Sequence, residues 1–129
     1  MKRVHGWAPA ALVAALVAVG AFLPGSAVSF HLFRGADKVV HLVEFALLGA
    51  VTYRAVWYTL AAWPVWRQIA LTCITIASFA VLTEVGQLYV PHRSAELADL
   101  LADLVGLAAG MTLWYAWAQA RRRTTAEDP

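Results

Sequence analysis

Residues 97–123, LADLLADLVGLAAGMTLWYAWAQARRR, carry three signals in one run. From about 97 to 117 the stretch is long enough and apolar enough to cross a bilayer as a helix, which takes roughly 20 residues. Its start bears Asp99 and Asp103, which with Glu96, Gly106 and Gly110 fall on one helical stripe. Its end bears Trp114 and Trp117 and then Arg121, Arg122 and Arg123. Acids at one end and tryptophan with arginine at the other describe a span with two chemically different ends.

Working outward, three more apolar runs precede it: about 7–23, stopped by Pro24-Gly25; about 39–58, with Arg54 near its end; and from about residue 69 to Pro91, after Pro64 and Arg67. The 129 residues are 61% hydrophobic and only 14% charged, with mean hydropathy +0.64, a membrane-protein composition. We expect an all-α, polytopic membrane bundle of about four spans, one domain over residues 1–120 and a short polar tail over 121–129. Strand-like alternation and Gly-rich phosphate loops are absent from the sequence, and nothing in it points to nucleic-acid binding. Lys2-Arg3, the first apolar run and Ala27-Val28-Ser29 also resemble a signal peptide with a cleavage site, although the run is longer than most such cores. Cleavage would leave three spans with the same orientation.

Lysine and arginine accumulate on the cytoplasmic side of membrane proteins. Lys2, Arg3, Arg54, Arg67 and the closing arginines alternate correctly for one side, so both termini are expected in the cytoplasm. The opposite segments hold Arg34, Lys38 and Arg93, outnumbered by Asp37, Glu44, Glu84, Glu96, Asp99 and Asp103. Trp7, Trp57, Trp63, Trp66, Trp114 and Trp117 all fall at the ends that charge assigns to the cytoplasm. The chain is therefore expected in the cytoplasmic (inner) membrane, in contact with lipid, with its acids on the extracytoplasmic side.

Ionisable groups in membrane helices are costly and usually face the bundle interior, where they mark function. Asp37, His41, Glu44 and Leu48 follow a four-three-four spacing on one face, and Glu84 and Gln87 share another. Gly106 and Gly110 form a small-xxx-small pair that lets a neighbouring helix approach and aims Asp99 and Asp103 inward. Asp37, Lys38, His41, Glu44, Glu84, Gln87, Arg93, Asp99 and Asp103 are thus the candidate binding residues. A purely structural network is the alternative, with Arg93 forking to Glu84 or Asp99 and Lys38 pairing with Glu44 or Glu96. His41, Glu44, Glu84 and Asp99 are also potential ligands for a divalent cation, but His-x-x-Glu alone is a weak spacing and no second histidine is well placed, so no cofactor is expected. Cys73 lies alone within a span and reads as a packing residue, His5 as solvated, His31 with Phe30, Leu32 and Phe33 as an interfacial stretch, and His92 as a loop residue beside Arg93.

Taken together, Asp37-Lys38, His41, Glu44-Phe45, Leu48-Gly49, Glu84, Gln87-Leu88-Tyr89, Pro91, Arg93, Asp99, Gly106 and Gly110 resemble the VanZ-like family of small bacterial membrane proteins over residues 37–110. One departure is Asp103, where the family pattern commonly has Asn. The resemblance implies a cell-envelope setting, since the family is named for a member associated with resistance to the glycopeptide teicoplanin. Resistance does not follow for this chain from membership alone.

The leading expectation is binding of a cell-envelope molecule or membrane partner at the outer leaflet, with Arg93 holding an anionic group. An intramembrane hydrolase or transferase on a lipid-linked substrate would use His41 or Glu84 as general base and Arg93 against developing charge, but no Ser-centred elbow or paired histidine accompanies them. A transporter subunit is the third reading, and polar stripes gathered at one end fit it less well than stripes through the middle.

Overall fold

The computed structural model describes residues 6–24 and 35–127. The expectations for Lys2, Arg3 and His5, for the cleavage site at 27–29 and for the stretch 30–34 lie outside the described residues. Four helices and no strand are present among those described: α1 (Ala8–Phe22), α2 (Ala36–Thr59), α3 (Val65–Gln87) and α4 (Leu97–Glu127). Three of them, α2, α3 and the Leu97–Thr124 part of α4, are long and apolar enough to cross a membrane. The chain is a multi-pass membrane protein.

The first apolar run forms a helix of only 15 residues, roughly 22 Å at 1.5 Å per residue, short of a hydrocarbon core of about 30 Å. Its N-terminal turn tolerates Pro9 because a first-turn N–H has no helical acceptor in any case. Trp7 Nε1 donates to Thr59 Oγ1 at 3.0 Å, and Gly20 lies beside the Glu44 carboxylate. So α1 runs antiparallel to α2 and ends near the depth of Glu44. Phe22 presses on Gly86, where any Cβ would overlap its ring.

Helices α2 and α4 run parallel, and their contact is the most extensive in the molecule. A Cβ on Gly106 would overlap the Leu42 carbonyl, and one on Gly110 the Ala46 carbonyl. Gly49 meets the Leu107 backbone in the reverse sense, its notional Cβ 2.9 Å from the Leu107 oxygen. Helix α3 returns antiparallel after a turn tied by buried Gln68, whose Nε2 donates to the Leu60 and Trp63 carbonyls at 3.1 and 2.9 Å. Those carbonyls follow the end of α2 and lack helical donors.

Below the polar end the core is apolar: Phe45, Leu48, Ile76, Ala80, Leu107 and Met111 pack with Tyr53, Trp57 and Trp114. Cys73 fits beside Met111, sulfur to sulfur 3.8 Å. Leu12, Leu16, Leu47, Ile74, Leu82, Leu101 and Leu113 are more than half exposed, as a lipid-facing surface requires. The tryptophans divide: Trp63, Trp66 and Trp117 are exposed, whereas Trp57 and Trp114 are buried edge-to-face partners 5.6 Å apart. Their end of the bundle is also the arginine end, with Arg67, Arg121 and Arg122 stacked over Trp66, Trp117 and Trp57 at 5.1, 5.0 and 4.7 Å. Helix α4 continues through the arginine run to Glu127.

Because the clash at Gly110 is with backbone, no rotamer change relieves it. Gly110→Ala is expected to lower unfolding stability in mixed micelles by about 1–3 kcal/mol, while Gly6→Ala, with nothing within 4 Å of the added carbon, leaves it unchanged.

Candidate functional site

The Gly106 and Gly110 register extends upward into the polar end. One or two turns above these contacts, Lys38 of α2 meets Asp99 of α4 and His41 meets Asp103. Both helices have their N-termini here, so the positive ends of two macrodipoles point at the acids. Asp37 and Asp99 occupy the respective first turns.

The rim is organised by one ammonium. Lys38 Nζ donates to Asp37 Oδ2 at 2.9 Å, Glu96 Oε2 at 3.0 Å and Asp99 Oδ1 at 2.9 Å. The pairing with Glu96 matches one sequence expectation. Glu44 is not a partner of Lys38; it sits lower, half-buried beside Gly20.

A turn deeper lies a second layer. His41 Nδ1 is 2.9 Å from Asp103 Oδ1 and 3.9 Å from Glu84 Oε1. Asp103 is fully buried and Glu84 is 5% exposed. Glu84 Oε2 accepts the Glu96 backbone N–H at 3.2 Å, which fastens α3 to the start of α4. Glu84 Oε1 and Asp103 Oδ2 are buried without a hydrogen-bond partner. Gln87, on the same face of α3 as Glu84, is buried beside this layer.

Arg93 departs from the sequence expectation. Rather than forking to Glu84 or Asp99, it donates Nη2 to Gly20 O at 2.8 Å and Nε to Leu23 O at 3.3 Å. The reason lies in Pro24: the Gly20 carbonyl would ordinarily accept the N–H four residues on, and proline has none. A cation at a helix C-terminus also complements the macrodipole. The acids were legible as a cluster, but this cap was not, since it depends on a helix end meeting a loop some 70 residues later.

Between α1 and the polar stripes lies a cavity of about 180 Å³ lined by Gly20, Asp37, Val40, His41, Glu44, Gln87 and Arg93. Asp99 and Asp103 lie behind its wall. Of the nine candidate residues, five line the cavity, while Lys38, Glu84, Asp99 and Asp103 support that wall from within the cluster. Gly20, absent from the sequence expectation, contributes the carbonyl that holds Arg93.

A family model described as VanZ/LLP1 matches residues 4–118. The chain belongs to the VanZ/LLP1 family. The match takes in α1 and most of α4, so the VanZ/LLP1 region is larger than the 37–110 segment on which the motifs fall. No curated protein and no solved structure matches this VanZ/LLP1 chain. Asp103 is the residue that His41 contacts.

Removing the Arg93 cap is expected to loosen the last turn of α1 by about 1.5 kcal/mol, the lower end of the range for hydrogen bonds to charged groups. Hydrogen exchange in Arg93→Ala should therefore accelerate roughly tenfold near Val19 and Leu23, and exchange unchanged from wild type would contradict the cap.

Proposed function

We propose that this VanZ/LLP1 protein binds the polar head of a cell-envelope molecule at the extracytoplasmic end of the bundle. The observation that carries the reading is the cavity itself: it lies at the acid-rich end, and four residues of α2 form most of its wall, with Gln87 of α3, Arg93 of the α3–α4 loop and Gly20 of α1 completing it. Asp37, Glu44 and the Gln87 carbonyl offer acceptors to amine or hydroxyl groups, and His41 offers a group that donates or accepts. Arg93 retains guanidinium N–H groups beyond the two bonded to α1, available to an anionic group.

Size narrows the ligand. The cavity, about 180 Å³, is below the ~300 Å³ at which drug-sized sites begin. A head group fits while acyl or prenyl chains stay in the lipid beside the exposed leucines. The charge distribution supports the orientation, with Arg54, Arg67 and Arg121–Arg123 at the opposite end. An inner-membrane location and a link to glycopeptide susceptibility belong to the same proposal.

A second reading, hydrolysis or transfer on a lipid-linked substrate, is favoured by one observation. His41 is oriented by a buried carboxylate, Asp103, the arrangement that holds a histidine general base in position. Turnover of a lipid-linked envelope intermediate that disappears in His41→Ala would select this reading over binding alone.

Native mass spectrometry tests the binding proposal. Wild-type protein released from membranes should retain a lipid-linked envelope adduct, while Glu44→Gln and Gln87→Leu should lose at least tenfold of it and stay folded by circular dichroism. Adducts equal in all three proteins, or made up of bulk phospholipid only, contradict the proposal.

A further inference from the structure

Charge is unbalanced in the deeper layer of the site. Lys38 serves Asp37, Glu96 and Asp99 at the rim, and Arg93 is turned toward α1. That leaves Glu84 and Asp103 with His41 as the cationic partner within 4 Å, while Glu44 shares the cavity with His41 and Arg93. A lone carboxylate taken out of water is costly unless a cation or a proton accompanies it. The two orphaned oxygens, Glu84 Oε1 and Asp103 Oδ2, mark where that compensation is missing.

The donors are also disposed for one ion. One ligand atom each from His41, Glu84 and Asp99 lie within 4.8 Å of one another; two metal–ligand bonds of about 2.0–2.2 Å reach at most about 4.4 Å, so small side-chain rotations would draw the three donors onto one ion. Glu84 Oε1 is buried, has no hydrogen-bond partner and lies 3.9 Å from the His41 ring. Asp103, 2.9 Å from His41 Nδ1, the nitrogen that also faces Glu84, holds the orientation of the ring, as carboxylates do for metal-binding histidines. An alternative triad, Asp37 with Glu96 and Asp99, is largely exposed and already gathered around the Lys38 ammonium.

We infer that His41, Glu84 and Asp99 bind one divalent cation, with Asp103 as the positioning residue behind His41. A single imidazole with two carboxylates suits a first-row divalent ion such as Mn²⁺ or Zn²⁺ better than Mg²⁺ or Ca²⁺, which favour all-oxygen sites. The site lies beside the head-group cavity and shares His41 with it, so an ion there would add a positive charge to the cavity wall. The inference does not depend on which envelope molecule binds.

The test uses the full chain in detergent, with any purification tag removed, stripped by chelator and titrated calorimetrically with Mn²⁺ or Zn²⁺ alone. Wild type is expected to bind about one ion per chain, confirmed by elemental analysis. Glu84→Gln and His41→Ala should weaken binding at least tenfold, and Asp103→Asn by about 10–100-fold. Asp37→Asn, confined to the rim, should change affinity by less than about twofold. Circular dichroism and tryptophan fluorescence establish that each variant is folded. No ion bound by the wild type overturns the inference and leaves protons as the compensating charge. Equal affinity in Glu84→Gln and wild type, or loss confined to Asp37→Asn, overturns it as well. Ion binding that fails while the lipid adduct persists contradicts this inference and leaves the head-group proposal standing.

Discussion

The close approach of α2 and α4 is the constraint on which the rest of the structure depends. With hydrogen in place of a side chain at Gly106 and Gly110, the Leu42 and Ala46 carbonyls rest directly on the α4 backbone. In lipid there is no hydrophobic drive to hold two apolar helices together, so close packing of this kind must do it. The register it imposes brings Lys38 to Asp99 and His41 to Asp103. A shift of one residue in either helix would turn Asp103 by about 100° and expose it to lipid.

Depth then separates the acids into two environments. At the rim, a shared ammonium and nearby water compensate Asp37 and Glu96, which are exposed. Asp103 lies about 9 Å below the start of α4, six residues at 1.5 Å each, where an isolated charge carries a cost of up to about 2.5–3.5 kcal/mol on insertion scales. The macrodipoles of two parallel helices and the His41 contact offset part of that cost. The aromatic and arginine end is organised differently. Trp57, Trp114 and Tyr53 form a buried edge-to-face cluster, and arginines cover ring faces there.

Much of this was legible before any coordinates, because helical periodicity and the cost of burying charge are local rules. The stripe Asp99, Asp103, Gly106 and Gly110 pointed inward by spacing alone, and all four residues are buried. Lys38 with Glu96 was one of the two pairings, with Glu44 the other, that opposite charges at one end suggested. What the sequence concealed were contacts made by backbone atoms. The Gly20 carbonyl becomes an acceptor only because Pro24 follows it, and Arg93 reaches it only because the α3–α4 loop passes the end of α1. Gln68 is a similar case: within an apolar run it reads as an isolated polar residue, yet it satisfies two carbonyls of a turn. The first apolar run was read as a span, and its helix proves shorter than the other three. The Trp57 and Trp114 rings, read as interfacial anchors, are core residues at that end.

The central claim is that the acid-rich end, with its cavity and buried histidine, faces the cell envelope rather than the cytoplasm. Ser94 is exposed next to Arg93 in the loop before α4, and Cys73 is the only native cysteine. In a Cys73→Ser background, Ser94→Cys should react with a membrane-impermeant maleimide on spheroplasts as completely as after lysis. Labelling that appears only after lysis would contradict the account and put the site on the cytoplasmic side.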